Sequence, residues 1–445
     1  MYRQFCDIMT FMSEKKKRNR SEKNRRNSVF YRRLTIICVE IFVLVVVAGI
    51  GVLLWLEINS RNGQEEERRA AWSEEFFIDA PGGGENLGLE TTEPERIEVP
   101  LSSGRYGNEL ADEEYCRQNR IYTKDAALED EVVLAFAGDV SFAEGYANME
   151  TLKQMGGKIE ACFDERLLQE MHSADIFMIN NEFTYSDRGQ PLPDKEYTFR
   201  AKTENVKYLH DLGVDIVSVA NNHTYDYGEV SLLDTLATLD GAQIPYVGAG
   251  RNIEEAVKPV YFIINDMKIA FVAATQIEQF DRPDTIGAGE NNAGVFRCWT
   301  EERIYEVVRE ARENSDFVVA YMHWGTELKE TLHWAQTDQA AKLVEAGADL
   351  IVGAHPHCLQ EISYIDDVPV AYSLGNFWFN SKTRDTGILK VGLDLNGVKW
   401  VQFVPAIQSG CRTTSVEAEE QERILTYMRT LSAAVYIDAE GYVQR

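Results

Sequence analysis

From about residue 131 onward, short apolar runs alternate with longer amphipathic stretches along the chain. Each run is apolar at consecutive positions, which is typical of strands buried on both faces. The stretches between the runs have apolar residues about 3.6 positions apart, as helices do, and one of them stops at Gly347. This βαβα order predicts an α/β sheet with helices on both sides. The predicted strands are VVLAFAGD (132–139), DIFMINNE (175–182), DIVSVANNH (215–223), KIAFVAAT (268–275), DFVVAYMHWG (316–325), DLIVGAHPH (349–357) and PVAYSLGNF (369–377).

The segments on either side of this region have different patterns. Residues 57–128 are polar, acidic and rich in turn-forming residues, which predicts a stalk with one short helix at 110–120. Near the other end, the segment GILKVGLDLNGVKWVQFVP predicts a hairpin that turns at Asn396-Gly397. Residues 416–434 then predict a final amphipathic helix.

A long apolar segment, Leu34–Leu56, predicts a membrane span. Its 23 residues include one charged side chain, Glu40. At about 1.5 Å per residue they reach about 34 Å, enough to cross a hydrocarbon core of about 30 Å. The basic residues before it should stay in the cytoplasm, which leaves the C-terminal body outside a cell membrane that the chain crosses once. A cleaved signal peptide is the alternative, but its apolar core is normally only about 7–15 residues long.

Charge and cysteine content narrow the function classes. The net charge of the chain is −27. Residues 1–33 have the opposite sign, because they contain 11 basic and 3 acidic side chains. The rest of the chain is therefore still more acidic, which excludes nucleic acid as a partner because phosphate contacts dominate that kind of binding. The seven cysteines show no CxxC spacing and predict no disulfide framework.

Polar residues collect where the predicted strands end, the position at which α/β sheets form their sites. Taken singly, each has a structural explanation, such as a helix cap or a turn. Taken together, their imidazoles, carboxylates and amides are the ligands that Mn, Fe or Zn ions use. Two such ions about 3.5–4 Å apart can clamp a hydrolytic displacement. The residues at the strand ends are Asp139, Glu182, Asn221, Asn222, His223, His323, His355, His357 and Asn376.

Five further residues invite an interpretation. His172 and His210 lie on helix-like segments and are interpreted as structural. Cys358 is interpreted as a packing residue, because no second cysteine is near it in the sequence. His333 follows a predicted ligand loop, and the sequence does not decide between a functional and a structural role for it. Glu327, in HWGTE, either binds a cation or caps the helix that follows.

Six motifs, in this order, resemble the CapA family of poly-γ-glutamate capsule biosynthesis proteins: GDVSF, NNEFTYSD, VANNHTYDYG, MHWGTE, GADLIVGAHPH and YSLGNF. The resemblance implies a calcineurin-like metallophosphoesterase fold, a β-sandwich flanked by helices with a two-metal centre. It also implies a domain outside the membrane behind an N-terminal anchor. The expected parts are a basic cytoplasmic tail (1–33), a transmembrane signal-anchor helix (34–56), an acidic extracytoplasmic stalk (57–128), a CapA-like domain (129–410) and a C-terminal helical extension (411–445).

The resemblance also implies a role for each matching residue. It makes His223 the general acid, oriented by Asp226. The expected ligands of the first metal are Asp139 and His357, those of the second are Asn222, His323 and His355, and Glu182 bridges the two. The expected substrate-binding residues are Lys195, Arg200 and Asn376.

Three residues depart from the pattern that the resemblance leads us to expect. Ser141 stands where the broader phosphoesterase pattern has a histidine, so the first metal loses one imidazole. Ala354 stands where the family often has a histidine, and Asn181 stands where a leucine is usual.

Three functions remain open from the sequence. The first is a hydrolase that uses two divalent metal ions on a phosphoester or related bond. The second is a non-catalytic accessory subunit of a membrane complex that synthesises or exports an anionic polymer. The third is a surface domain with a purely structural metal, but such sites are usually closed by four protein ligands.

Overall fold

The structure is a computed structural model that describes residues 104–277, 285–299 and 302–445. The predicted tail, the predicted membrane span and most of the predicted stalk lie outside these residues. Among the helices within the described ranges, none combines the length and the apolar character that crossing a membrane requires.

Two large sheets contain most of the described strands. In chain order the strands are β1 (Ile121–Thr123), β2 (Val132–Val140), β3 (Ile176–Asn181), β4 (Thr184–Tyr185), β5 (Arg200–Ala201), β6 (Ile216–Ser218), β7 (Tyr246–Val247), β8 (Ala249–Gly250), β9 (Val260–Ile264), β10 (Met267–Thr275), β11 (Gly294–Val295), β12 (Phe317–His323), β13 (Leu350–Ala354), β14 (Ile362–Ile365), β15 (Val368–Ala371), β16 (Asn376–Trp378), β17 (Arg384–Asp394), β18 (Gly397–Ser409), β19 (Arg412–Ser415), β20 (Tyr436–Ile437) and β21 (Val443–Gln444). The helices are α1 (Gly107–Leu110), α2 (Glu113–Asn119), α3 (Ala147–Gln154), α4 (Glu165–His172), α5 (Lys207–Asp211), α6 (Glu229–Gly241), α7 (Ile253–Ala256), α8 (Arg303–Glu313), α9 (Trp334–Ala346) and α10 (Ala418–Leu431).

Each sheet is parallel at its centre. The first has the order β1-β9-β10-β12-β13-β15-β14, and its strands β10, β12, β13 and β15 are parallel. The second has the order β19-β18-β17-β2-β3-β6-β7, with β16 parallel to β2 at the end of that strand. Strands β2, β3, β6 and β7 are parallel, and the long hairpin β17-β18 extends the sheet in antiparallel fashion.

The two sheets share one hydrophobic core. On β10, Ile269 and Phe271 face this core together with Phe136 and Met178 of the second sheet. The alternate residues of β10 face an outer cluster formed with helices α8 and α9. A hydrogen bond of 2.9 Å from the Tyr321 hydroxyl to the carbonyl of Ala137 joins the sheets directly. The architecture is a mixed α/β fold in two sheets. The predicted α/β class is therefore confirmed, whereas the apolar pattern alone led us to expect one sheet with helices on both sides.

The segments next to the core also belong to the domain. Residues 104–128, expected to be stalk, form α1, α2 and β1, and β1 pairs with β9 in the first sheet. Lys268 contacts Glu109 at 2.8 Å at the end of β10 farthest from Thr275, which attaches the segment there. Helix α10 buries Ile424 in the shared core, so residues 411–445 are not a separate extension.

Local signals in the sequence are well reproduced. The predicted hairpin is present, but its two-residue loop is Leu395-Asn396, one residue before the predicted turn at Asn396-Gly397. Helix α9 ends at Gly347, whose φ of 109° is the left-handed conformation that favours glycine. At its other end the His333 side chain accepts the backbone N–H of Ala335, so this histidine is a helix cap and Glu327 is not.

Candidate metal centre

The carboxyl ends of β2, β3, β12 and β13 meet at one edge of the sandwich. Asp139 on β2 is paired in register with Asn180 on β3 and with Asn376 on β16. His323 at the end of β12 pairs with Ala354 at the end of β13. Parallel strands bring their carboxyl ends to the same side of a sheet, which explains why residues so distant in sequence converge.

Two groups of potential ligand atoms lie at this edge and share one residue. Asp139, Glu182 and His357 form the first group, and Glu182, His323 and His355 form the second. Within each group the ligand atoms all lie within 4.8 Å of one another, and all five side chains are buried. In the shared residue, Glu182 Oε1 lies 3.8 Å from His323 Nε2 and 3.9 Å from His357 Nε2.

Burial and close spacing shift the pKa values of the side chains in both groups. Burial and the nearby Asp139 charge raise the pKa of Glu182 well above its usual range. Burial opposes ionisation of Asp139, but a hydrogen bond and the charge of His357 hold its pKa below the usual value. Burial and the neighbouring His355 lower the pKa of His323 far below normal. Glu182 Oε1 accepts no hydrogen bond within the described residues, so a divalent cation fits the donor set that surrounds it.

Asn222 and Asn376 adjoin the two groups. Asn222 Oδ1 lies 2.9 Å from His323 Nε2, so it could complete the second group. Asn376 Oδ1 lies 2.7 Å from His357 Nδ1 and therefore fixes the orientation of that imidazole. A direct role for Asn376 in substrate binding stays a prediction.

The turn that carries the two histidines has an unusual backbone. His355 has a φ of 96° and His357 a φ of 55°, both in the left-handed region. The loop before β16 packs tightly against β2 at Gly138. The Cβ of any other residue at this position would lie 1.9 Å from the carbonyl oxygen of Gly375. That approach allows the backbone N–H of Asp139 to donate to the same carbonyl at 3.0 Å.

His223 lies beside the two groups with its two nitrogens facing in different directions. Its Nδ1 is 2.7 Å from Asp226 Oδ2, and its Nε2 is 4.0 Å from Glu182 Oε1. The ring of Phe199 covers the imidazole, with 4.2 Å between the ring centroids. This is the arrangement expected of an oriented acid, with one nitrogen held by a carboxylate and the other directed at the reacting groups.

The two basic residues predicted to bind substrate make contacts within the protein. The Lys195 ammonium lies 2.6 Å from Asp226 Oδ1, and its side chain is only 6% exposed. The Arg200 guanidinium stacks on Tyr227 at 4.1 Å from the ring centroid. Contact of either residue with substrate stays a prediction.

Asn180 is a central residue of the site that the sequence analysis missed. Its Nδ2 donates to Asp139 Oδ1 at 2.8 Å and to Glu182 Oε2 at 3.1 Å, while Asn221 donates to its Oδ1 at 3.0 Å. The signal was available, since residues two apart on a strand face the same side and Asn180 is two before Glu182. The side chain of Asn181 instead donates to the Phe183 carbonyl.

The other residues singled out from the sequence lie outside the two groups. Ser141 is buried, and its side-chain Oγ accepts the backbone N–H of Ala143 at 3.4 Å, so no imidazole is supplied where a histidine was expected. His210 contacts the Ala242 carbonyl at 2.9 Å, as a structural residue would. Burial raises the pKa of the Cys358 thiol to about 12, which agrees with packing and not with nucleophilic chemistry.

Several solved structures match part of the chain, and two of them illustrate the similarity. The chain is 11% identical to TT1561 of Thermus thermophilus, with 60% of this chain and 95% of that chain covered and a TM-score of 0.33. It is also 11% identical to the 5'-nucleotidase from Candida albicans, with 62% and 54% covered and a TM-score of 0.32.

Related protein sequences share a higher sequence identity with this chain than the two solved structures do. The chain is 32% identical over 229 residues to the PGA biosynthesis protein CapA of Bacillus subtilis (strain 168), which covers 51% of this chain and 59% of that protein. It is 32% identical over 241 residues to the capsule biosynthesis protein CapA of Bacillus anthracis, covering 52% and 57%. A probable polyglutamine synthesis accessory protein of Mycobacterium tuberculosis is 26% identical over 248 residues, covering 53% and 64%.

The match thus spans less than two thirds of the length of each of these relatives. Residues 133–381, more than half of the chain, match the family described as bacterial capsule synthesis protein PGA_cap. This region contains every residue of the two ligand groups as well as His223 and Asp226. The chain belongs to the bacterial capsule synthesis protein PGA_cap family.

Proposed function

We propose that this protein is a metal-dependent hydrolase of phosphoester bonds that acts outside the cell membrane in the synthesis or export of poly-γ-glutamate. In this proposal the two sheets form a calcineurin-like metallophosphoesterase fold, and the predicted span 34–56 anchors the chain. The observation that carries the proposal is the pair of buried ligand groups that share Glu182. The names of the Bacillus relatives support the biological setting.

Two divalent ions, of Mn, Fe or Zn, would be held by this donor set. Asp139 and His357 would hold the first, with Asn222, His323 and His355 on the second and Glu182 shared between them. When bound, such ions polarise a phosphoryl oxygen and lower the pKa of water, which is the chemistry that hydrolysis requires.

The residues of the chain perform the remaining tasks. His223 would give the leaving group a proton from Nε2, while Asp226 Oδ2, 2.7 Å from Nδ1, holds the ring in place. Phe199 and Phe379 pack against each other at 5.4 Å and cover His223 and His357, which limits the access of water from that side. Asn180 holds both carboxylates in register through its Nδ2.

One observation favours a second candidate, a non-catalytic accessory subunit of a polymer synthase or export complex. The mycobacterial relative is described as an accessory protein. In that case the ions would stabilise the domain or bind an anionic polymer without turnover.

An activity assay separates the two candidate functions. The full-length chain is loaded with Mn²⁺ and given an aryl phosphate as substrate. Wild type should hydrolyse the ester, and His223→Ala should lower turnover about 10²–10⁴-fold because general acid catalysis contributes that much. The variant should keep its metal, since His223 belongs to neither ligand group. His210→Ala, at an exposed histidine, is the matched control and should behave as wild type. Wild type that binds metal and hydrolyses no phosphoester would favour the accessory role.

A further inference from the structure

Lys195 is a buried lysine with specific partners. Its side chain is 6% exposed, and its ammonium lies 2.6 Å from Oδ1 of Asp226, a residue with no exposed surface. The same ammonium donates to the backbone carbonyl of Asn222. A buried ammonium is retained only where it is paired, so these contacts define where the charge acts.

The contacts form a continuous path from Lys195 to His223. Asp226 uses Oδ1 for Lys195 and Oδ2 for His223 Nδ1, and Oδ2 also accepts the backbone N–H of Phe199 at 2.6 Å. The ion pair at Oδ1 and the hydrogen bonds at Oδ2 together restrict the rotation of this carboxylate. The imidazole that it binds is therefore held with Nε2 toward Glu182.

We propose that Lys195 is a positioning residue that sets the orientation of His223 through Asp226 and holds the backbone at Asn222. This inference rests on the proposed role of His223 as the proton donor. It differs from the expectation that Lys195 grips an anionic substrate, because a lysine side chain that is 6% exposed and paired with Asp226 has little surface for a ligand. A compact ammonium also suits the position, where two oxygen partners converge on a single point charge.

Steady-state kinetics of Lys195→Met separate positioning from substrate binding. The expected result is a kcat lowered about 10–100-fold, the usual cost of removing a supporting partner, with KM changed less than about twofold. Lys202→Met is the matched control, because Lys202 is 53% exposed on the same segment. A raised KM with unchanged kcat would mean that Lys195 grips substrate, and unchanged values of both would mean that it does not position His223; either result overturns the inference.

A double variant tests whether Lys195 acts through Asp226. Asp226→Asn combined with Lys195→Met removes both buried charges, so the protein should fold even where Lys195→Met alone does not. In the Asp226→Asn background, Lys195→Met should lower kcat less than about twofold, because the path is already broken. A full loss of kcat in that background would show that Lys195 acts by another route.

The positioning of His223 by Lys195 can also be tested by NMR spectroscopy, which does not require the protein to turn over a substrate. In the metal-free full-length chain with ¹⁵N-labelled histidine, the ring signals of His223 are assigned from their loss in His223→Gln. Lys195→Met should shift these signals, and Lys202→Met should leave them unchanged. An inactive wild type would refute the proposed function while the signals still test the positioning. Unshifted His223 signals in Lys195→Met would refute the positioning itself.

Discussion

Replacing Glu182 with glutamine tests the centre at its shared residue. The substitution removes one negative charge and keeps the shape of the side chain. Glu182 Oε1 lies within 4.0 Å of the Nε2 atoms of His223, His323 and His357, and Glu182 is the member common to both ligand groups. Loss of its charge should therefore weaken the binding of both ions, whereas loss of a histidine would weaken mainly one.

The same substitution should have opposite effects on stability with and without metal. In the metal-free protein, burial and Asp139 raise the pKa of Glu182. A carboxyl whose pKa is raised by folding contributes stability below its unfolded pKa. That contribution is lost as the pH rises toward the folded pKa, by up to about 1.4 kcal/mol per pH unit. Glutamine does not titrate, so Glu182→Gln should be more stable than wild type in EDTA at pH 8.

Bound metal should make wild type more stable than Glu182→Gln, the reverse of the order in EDTA. An ion at 100 times its dissociation constant stabilises a protein by about 2.7 kcal/mol, and two such ions by about twice that. Wild type should gain this stability and Glu182→Gln should gain little of it. Urea unfolding in EDTA and in Mn²⁺, with metal content measured after dialysis, follows both effects.

Glu361→Gln provides the control for this experiment. Burial also raises the pKa of Glu361, but this residue lies in neither ligand group, so its replacement should leave the metal response unchanged. The reasoning fails if Glu182→Gln retains as many ions as wild type, or if it is the less stable protein in EDTA at pH 8.

Three smaller predictions follow from single contacts. Asn180→Ala should weaken metal binding about 10–100-fold in a titration, since it removes the donor that holds both carboxylates. Tyr321→Phe should lower the free energy of unfolding by about 1–3 kcal/mol, because it leaves the buried carbonyl of Ala137 without this partner, and metal content should stay unchanged. Lys268→Met should lower the free energy of unfolding by about 1–3 kcal/mol through loss of its contact with Glu109, again without effect on metal content.

Many of the strands and helices were predictable because burial leaves a local trace, but the predicted strand 369–377 is two strands, β15 and β16, which lie in different sheets. The continuous apolar runs at 268–275 and 316–325 contain all of β10 except its first residue, Met267, and all of β12, and both strands are buried along their whole length. The division into two sheets left no such trace. A strand covered by a helix on one face and by a sheet on the other has the same apolar sequence as a strand covered by two helices. The sequence also could not show that Ile424 of α10 reaches the shared core, since an amphipathic helix does not specify its partner.

The candidate site was predictable to the extent that its residues stand at strand ends. Asp139, Glu182, His323, His355 and His357 all come together there, as strand-end placement and the family resemblance led us to expect. The supporting contacts were not predictable, because they depend on which side chains face each other across the fold. The family resemblance led us to expect Lys195 to bind substrate, and the sequence shows no sign of its ion pair with Asp226, which depends on the packing of the fold.

The turn from His355 to His357 shows why such a sequence stands at the end of a strand. Two non-glycine residues with positive φ cost of order 1–3 kcal/mol each, and glycine at either position would avoid that cost. Two hydrogen bonds hold this turn. The backbone N–H of His355 donates to Asp139 Oδ1 at 3.3 Å, and the carbonyl of the central Pro356 accepts from the backbone N–H of Leu328 at 2.8 Å. Glycine could adopt the same backbone but would remove an imidazole from one of the ligand groups. The strain therefore lies where stability and ligand geometry conflict, and the side chains present are those that serve the ligand groups.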